Sequence, residues 1–552
     1  MISTFTLRAC GRVVLLGVCA SLLWGAAAVG QPAPGPAAKP QPGIDVQDYD
    51  FDLALTDTSD RIRGTATVRL RVTTDTLSAV RLDLIGPPDA GDTGMRVSDV
   101  TEDGRDVSFA HRDDLLRIRP RSGLQAGQTR TFEVRYHGVP ADGLIVGTNR
   151  HGDRTFFGDN WPNRARHWLP VVDHLADKAT VAFRVTAPAE YEVVSNGALV
   201  QDSVAGDMRV THWRTDVPLP PKVMVIGVAE FAVDTVATVD GVPVQSWAYP
   251  EDRVAGFRDL GQAPPILRFF EDNLGPYPYE KLANVQSTTR YGGMENASAI
   301  FYSEEAVADG EDDTPLLAHE IAHQWYGNTV TEADWPHLWL SEGVATYLTG
   351  LYLEHANGPD RLASYMADAR RSAIQFHEQN PETPLVDTTY SDPNELLTAN
   401  PYQKGAWVLH MLRDEVGTDT FWEGLRAYYD RYRHRNASTA DFRRVMEDVS
   451  GRPLEWFFDQ WTRRPGHPVV EGTWHYDEAA GTCEVTLRQV QEAAPFRVPV
   501  TVALSGARGQ TTTLSLNSRS HTVQMDCPTV PESIVLDPET QVLAELSMSE
   551  RE

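Results

Sequence analysis

The chain has 552 residues, of which 41% are hydrophobic and 23% charged, and its formal net charge is −28. That length exceeds what one hydrophobic core fills, so two to four domains are expected. The acidic balance argues against a protein that grips nucleic acid or an acidic membrane through a basic face. Lysine stands only at positions 39, 178, 222, 281 and 404, so arginine carries nearly all the positive charge.

Arg8 and Arg12 precede an apolar run from Val13 to Val29, and Ala26-Ala27-Ala28-Val29-Gly30 supplies small residues for a signal peptidase. The pattern predicts a signal peptide over 1–30 and export, periplasmic or secreted. The run is shorter than a usual spanning helix, so no stable membrane insertion is expected after cleavage. Residues 31–43, rich in Pro and Ala, read as a flexible leader. Cleavage leaves Cys483 and Cys527, and in an oxidising compartment two such cysteines are expected to form a bridge.

From 44 to 239 the residues alternate, as in Thr65-Ala66-Thr67-Val68-Arg69-Leu70-Arg71-Val72, which predicts an antiparallel β-sandwich or saddle. From 240 to 465 helical signals dominate. Thr314-Pro315 and Asn400-Pro401 read as N-cap followed by Pro, and Ala356-Asn357-Gly358-Pro359 closes another helix. From 466 to 548 alternation returns in Cys483–Leu487 and Val498–Leu504, giving a small C-terminal β-domain. The chain as a whole reads as multidomain α+β.

The chemistry lies in the middle region. His319-Glu320-Ile321-Ala322-His323 falls inside the helix predicted to start at Pro315. Side chains four apart share a helix face, so both imidazoles can reach one metal ion. By itself the pattern also fits two ordinary histidines on a helix. Glu342, within Trp339-Leu340-Ser341-Glu342-Gly343, interrupts an otherwise apolar stretch of the next predicted helix, where a carboxylate is costly unless paired or metal-bound. Two His and one Glu leave the fourth position of tetrahedral zinc open for water, as catalytic sites do. One Zn2+ per chain follows. Glu320, next to His319, is then positioned to take a proton from water and pass it to a leaving amine.

These residues resemble the aminopeptidase N and leukotriene hydrolase family of zinc peptidases, the gluzincins, in which the second His and the Glu are spaced as His323 and Glu342 are here. Tyr291-Gly292-Gly293-Met294-Glu295-Asn296 matches the family's G-x-M-E-N motif, and Pro401-Tyr402-Gln403-Lys404-Gly405 its Tyr-x-Lys-Gly motif. His323-Gln324-Trp325-Tyr326-Gly327-Asn328 follows the family pattern as well. The resemblance extends over the mature chain. It implies an N-terminal antiparallel β-saddle, a thermolysin-like, mainly helical catalytic domain and a small C-terminal β-sandwich. It also implies an aminopeptidase acting on peptides with a free N-terminus. Tyr402 then corresponds to the hydrogen-bond donor to the oxyanion and Glu295 to the carboxylate that pairs with the α-ammonium. Gly292, Gly293 and Met294 correspond to substrate-binding backbone, the two glycines leaving room for an extended peptide.

The sequence departs from the family at two places. Relatives carry a second amine-binding Glu or Gln shortly before the segment that is Arg166-His167-Trp168-Leu169-Pro170 here, and that position holds Trp161, beside Asn160 and Asp159. Many relatives end in a large helical domain, whereas this sequence stops after the β-domain, so a more open cleft is expected. A zinc endopeptidase and a non-catalytic binding relative are the rival readings. Glu295 argues against the first, and Glu320 with Tyr402 against the second.

Overall fold

The computed structural model describes residues 41–551 apart from 76, 89, 90, 92 and 506–509. The expected signal segment and nearly all of the leader lie outside the described residues. No helix among the described residues is long and apolar enough to cross a membrane.

The N-terminal region is built on an eight-stranded sheet in the order Ala198–Ala205, Met208–Leu219, Ala179–Pro188, Ile44–Thr56, Ser59–Val72, Thr129–Val139, Gly94–Glu102, Arg105–Asp106. Strand Ser59–Val72 shows how alternation builds it: Ile62, Ala66, Val68, Leu70 and Val72 are buried, while Arg61, Arg63, Arg69 and Arg71 face water. Each buried aliphatic side chain contributes about 1.5–3 kcal/mol, and a one-residue slip would turn the whole set outward. The pairing is antiparallel except between Ile44–Thr56 and Ala179–Pro188, which run parallel. A four-stranded sheet, whose central strands Arg154–Gly158 and Ile226–Ala229 are largely buried, connects this region to the next. Phe157 in it meets Phe301 of the following region edge-on, with ring centroids 5.4 Å apart.

The middle region holds a five-stranded sheet in the order Ala232–Val239, Val242–Ala248, Leu282–Ser287, Ala299–Ser303, Gly293–Met294. Its first two strands form a hairpin with Val239 opposite Val242, so the expected boundary at 239/240 cuts a paired unit. Helices follow: α1 (Arg253–Leu260), α2 (Ala263–Leu274), α3 (Thr314–Ala322), α4 (Trp339–Asn357), α5 (Pro359–Gln379), α6 (Gly405–Val416), α7 (Thr418–Tyr432) and α8 (Thr439–Ser450). Two helix starts differ from their local signals. At α3 the N-cap position is Asp313, and the Thr314 hydroxyl donates to Gln262 Oε1 at 2.7 Å instead of capping. Asn400–Lys404 forms a wide π-type turn before α6, not the first turn of an ordinary helix. Such turns recur at functional sites.

The C-terminal region packs a four-stranded sheet (Ser520–Asp526, Thr482–Gln489, Val469–Asp477, Glu545–Glu550) with a three-stranded one (Thr511–Leu516, Val498–Leu504, Ile534–Leu536). Its last strand runs to Glu550, past the expected end at 548. Cys483 and Cys527 are joined by a disulfide with Cα atoms 5.7 Å apart, staked between a strand and the residue that follows its neighbour. The cysteines are 44 positions apart, and closing a loop of that size in the unfolded chain stabilises the fold by up to about 4 kcal/mol. Reduction, or Cys483→Ala, is therefore expected to lower the thermal unfolding temperature while zinc content stays constant. Calorimetry with and without reductant, beside metal analysis, checks this.

Candidate active site

Helix α3 carries His319 and Glu320, and His323 stands at its C-cap, one turn beyond His319. Helix α4 is buried on nearly every side, and Glu342 in its first turn is 4% exposed among Trp339, Leu340 and Val344. The two helices bring three donor atoms together. His319 Nε2 lies 3.0 Å from His323 Nε2, and Glu342 Oε2 lies 3.3 Å from the first and 3.2 Å from the second. His323 Nδ1 donates to the Tyr326 carbonyl at 3.0 Å, which leaves its Nε2 as an unprotonated donor to a metal.

Three lone-pair atoms facing one another in a buried pocket repel unless a proton or cation sits among them. The proton affinities register this. Burial lowers the His323 pKa, but the Glu342 carboxylate more than reverses the effect, to about 9. Burial also works against the Glu342 carboxylate, yet His323 and His319 hold its pKa well below the usual range. The edges of the triangle match the roughly 3.3 Å between ligand atoms held at about 2.0 Å in a tetrahedral zinc site. His319, His323 and Glu342 therefore fit zinc in number, donor type and spacing, as one metal-ligating group.

The remaining side chains are set by close backbone approaches. Gly293 lies against Glu320: a Cβ there would come within 2.3 Å of Glu320 Oε1. At Gly292 a Cβ would meet open space, so of the two glycines only Gly293 is dictated by the site's packing. Gly293–Met294 is the edge strand of its sheet, paired on one side only, with Ala299–Ser303. At the crossing of α4 and α6, a Cβ on Gly343 would stand 2.8 Å from Gly405 Cα and 2.8 Å from the Pro401 carbonyl oxygen. That contact draws the Tyr402 turn onto the metal site. The Tyr402 ring lies nearly parallel to His319, at 14° with centroids 6.0 Å apart.

Glu295 is 5% exposed and its Oε1 has no hydrogen-bond partner. Gln324 Nε2 and Asn328 Nδ2 donate to its backbone carbonyl at 3.0 and 2.6 Å, which accounts for the Gln and Asn of the His323–Asn328 motif. Burial raises the carboxyl pKa of Glu295, opposed first by Lys222. Burial likewise pushes Glu320 well above the ordinary carboxyl range, with His323 opposing and Glu295 and Glu342 adding to the rise. Asn160 is committed elsewhere: it donates to the carbonyls of Pro221 and Met224 and accepts from Trp168 Nε1 at 2.8 Å. Trp161 is buried edge-on between Tyr291 and Trp335.

Lys222, Glu332 and Ser341 also reach the site, and no motif marks them for it in the sequence. Lys222 Nζ stands 3.6 Å from Glu295 Oε1 and 2.9 Å from Glu332 Oε1, and Ser341 Oγ is 3.2 Å from His323 Nδ1. Lys222 had a signal, a lone charge in Pro220-Pro221-Lys222-Val223-Met224-Val225-Ile226, in a chain that otherwise uses arginine.

Both the fold and the metal-binding triangle are those of a zinc metallopeptidase scaffold. The comparisons agree: residues 258–461 match the Peptidase family M1 domain and residues 46–221 the Peptidase M1 N-terminal domain. Together these cover more than half of the sequence, and the chain belongs to peptidase family M1. It is 30% identical over 319 residues to Aminopeptidase M1-C of Oryza sativa subsp. japonica, a match covering 55% of this chain and 36% of the relative. With human Glutamyl aminopeptidase it shares 28% identity over 331 residues, 56% of this chain and 34% of the relative. The matches thus span well under half the length of these curated relatives. The M1 zinc metallopeptidase from Deinococcus radiodurans superposes with a TM-score of 0.64 at 26% identity, covering 76% of this chain and 94% of that one. A variant of it bound to a Tyr-Ser-Ala substrate gives 0.65 at 26% identity, covering 77% and 95%.

Glu342→Ala removes one corner of the triangle, so zinc after dialysis is expected to fall well below one ion per chain. Gly293→Ala should keep full zinc yet displace Glu320, and a misplacement of about 1 Å typically lowers turnover about a hundredfold. Metal analysis beside steady-state kinetics separates the two effects.

Proposed function

We propose that the chain is an exported zinc-dependent aminopeptidase that hydrolyses the first peptide bond of peptides with a free amino terminus. The observation that carries the reading is Glu295, a buried carboxylate with an unfilled oxygen, directly following a half-paired edge strand and close to Glu320 and the zinc ligands. An extended peptide adds to such an edge through backbone hydrogen bonds. A carboxylate at the end of the strand gives its ammonium a partner and so fixes which bond reaches the metal. The names of the relatives, and the tripeptide bound to the Deinococcus homologue, support a peptide substrate.

Zinc held by His319, His323 and Glu342 supplies Lewis acidity toward the scissile carbonyl and lowers the pKa of water. Glu320, adjacent to His319 and held against Gly293, takes the proton from the attacking water and delivers it to the departing amine. The Tyr402 hydroxyl donates to the developing oxyanion. Gly292, Gly293 and Met294 offer backbone to the substrate. Export is supported by the Arg8, Arg12 and Val13–Val29 pattern and by the Cys483–Cys527 disulfide, which suits an oxidising compartment.

Glu320→Gln is expected to retain zinc while activity falls to background, and substantial turnover at saturating zinc would refute Glu320 as the base. Tyr402→Phe should lower kcat about a hundred- to a thousandfold with little change in KM; an effect confined to KM would reassign Tyr402 to the substrate pocket. A panel of aminoacyl-naphthylamides and N-acetylated peptides, with and without chelator, tests the reading as a whole. Free-amine substrates should be cleaved, acetylated ones spared and chelator should abolish turnover. Equal cleavage of both classes would favour a zinc endopeptidase. Glu295→Ala should lower kcat/KM on free-amine substrates by at least about thirtyfold.

A further inference from the structure

Only five of the 49 Lys and Arg residues are lysine, and the four in the described part of the chain are all wholly or partly buried. Two of them brace backbone. Lys281 donates to the carbonyls of Ser195 and Gly197, and Lys178 to those of Asn328, Thr329 and Arg435. Burial pulls the pKa of Lys178, Lys281 and Lys404 down to about 7. Lys222 differs. Burial acts against its charge too, but Glu332 and then Glu295 more than reverse the effect.

Lys222 is 2% exposed and its two carboxylate neighbours are also buried. Its Nζ is within hydrogen-bond distance of Glu332 Oε1, at 2.9 Å, and stands back from Glu295 Oε1 at 3.6 Å. Glu295, Glu332 and Lys222 by themselves carry a net charge of minus one in a desolvated cluster; Lys178, which also acts on Glu332, is drawn down to about 7 by burial and donates to three backbone carbonyls instead. A desolvated net charge is costly without a partner. Two carboxylate oxygens of the cluster accept no hydrogen bond, Glu332 Oε2 and Glu295 Oε1, and of the two residues it is Glu295 that directly follows the edge strand Gly293–Met294. Beside the cluster Lys222 Nζ lies 6.0 Å from the Trp335 ring, which packs on Trp161 and so connects to Tyr291.

We propose that Lys222 and Glu332 form an internal ion pair that positions Glu295 and sets the net charge of the amino-end pocket, so that it takes one ammonium group. The proposal rests on the reading of Glu295 as the amine anchor. Glu332 neutralises Lys222, and Glu295 keeps its charge for the substrate. Neither Lys222 nor Glu332 touches the reacting atoms; both act through Glu295. Without Glu332, Lys222 would neutralise Glu295 and the pocket would lose its preference for a cation. Removing Lys222 together with Glu332 returns the cluster to one negative charge.

The test uses the zinc-loaded full chain and two competitive ligands, leucine hydroxamate and its des-amino analogue 4-methylpentanohydroxamate. Both offer the same metal-binding head, so the ratio of their inhibition constants isolates the ammonium. Inactive or unfolded material does not alter that ratio, and calorimetric binding replaces inhibition where turnover is too low. Wild type is expected to prefer the amine. Glu332→Gln should lower that preference about tenfold, and Lys222→Met combined with Glu332→Gln should restore it to within about threefold of wild type. A merely structural pair would make the double variant no better than the single. That result, or an unchanged ratio in Glu332→Gln while Glu295→Ala collapses it, would overturn the ion-pair proposal and leave the amine anchor standing. An unchanged ratio in Glu295→Ala would overturn both.

Discussion

The repulsion among His319 Nε2, His323 Nε2 and Glu342 Oε2 is the constraint on which the catalytic region turns. The three atoms converge within 3.3 Å, below the surface. Apolar side chains of α4 hold Glu342 in place, and the Tyr326 carbonyl holds His323. The fold thus confines groups that a cation reconciles, so metal binding and local stability are linked. Helix α3 is nine residues long, too short to be stable alone in water. A metal held by His319, His323 and Glu342 would tie it to the far longer α4.

Around that triangle the distances are set by backbone more than by side-chain reach. Gly293 admits Glu320 where any other residue would collide, and Gly343 and Gly405 let α4 and α6 approach until Tyr402 faces His319. Helices that touch at glycine have little freedom to slide. The same economy explains Gln324 and Asn328, whose amides fix the carbonyl of Glu295 and thereby the end of the edge strand. Reactive groups are positioned by rigid elements, which is the condition for preorganised electrostatics.

Charge follows a division between surface and interior. Exposed arginines pair with the abundant acids, as Arg135 does with Asp99 and Arg431 with Asp448. Such pairs contribute about 0–1 kcal/mol each and serve solubility more than stability. The four described lysines lie wholly or partly inside, and for three of them, Lys178, Lys222 and Lys281, a compact ammonium fits a cage of carbonyls or carboxylates that a planar guanidinium would not. Lys281 and Lys178 brace loops in this way, and Lys222 stands between Glu332 and Glu295.

Much of the site was legible from one dimension because its signals are local. His319 and His323 share a helix face by their spacing, Glu342 betrays itself as a lone acid in an apolar run, and strands such as Ser59–Val72 announce their inner face by alternation. Motifs around Glu295 and Tyr402 added the resemblance. Local signals misled where a neighbour outcompeted them: Thr314 gave its hydroxyl to Gln262 instead of capping α3, and the hairpin across position 240 joined what composition had divided. Periodicity reports which face a side chain takes, because that depends on the next few residues. It carries no information on which distant segment arrives opposite. Lys222, Glu295 and Glu332 come from three separate stretches of chain, and their meeting within 3.6 Å follows from packing of the β-rich region against the catalytic sheet and helices. Charge balance in the pocket is therefore a property of the folded chain, whereas the metal-binding pattern was already present in the order of its residues.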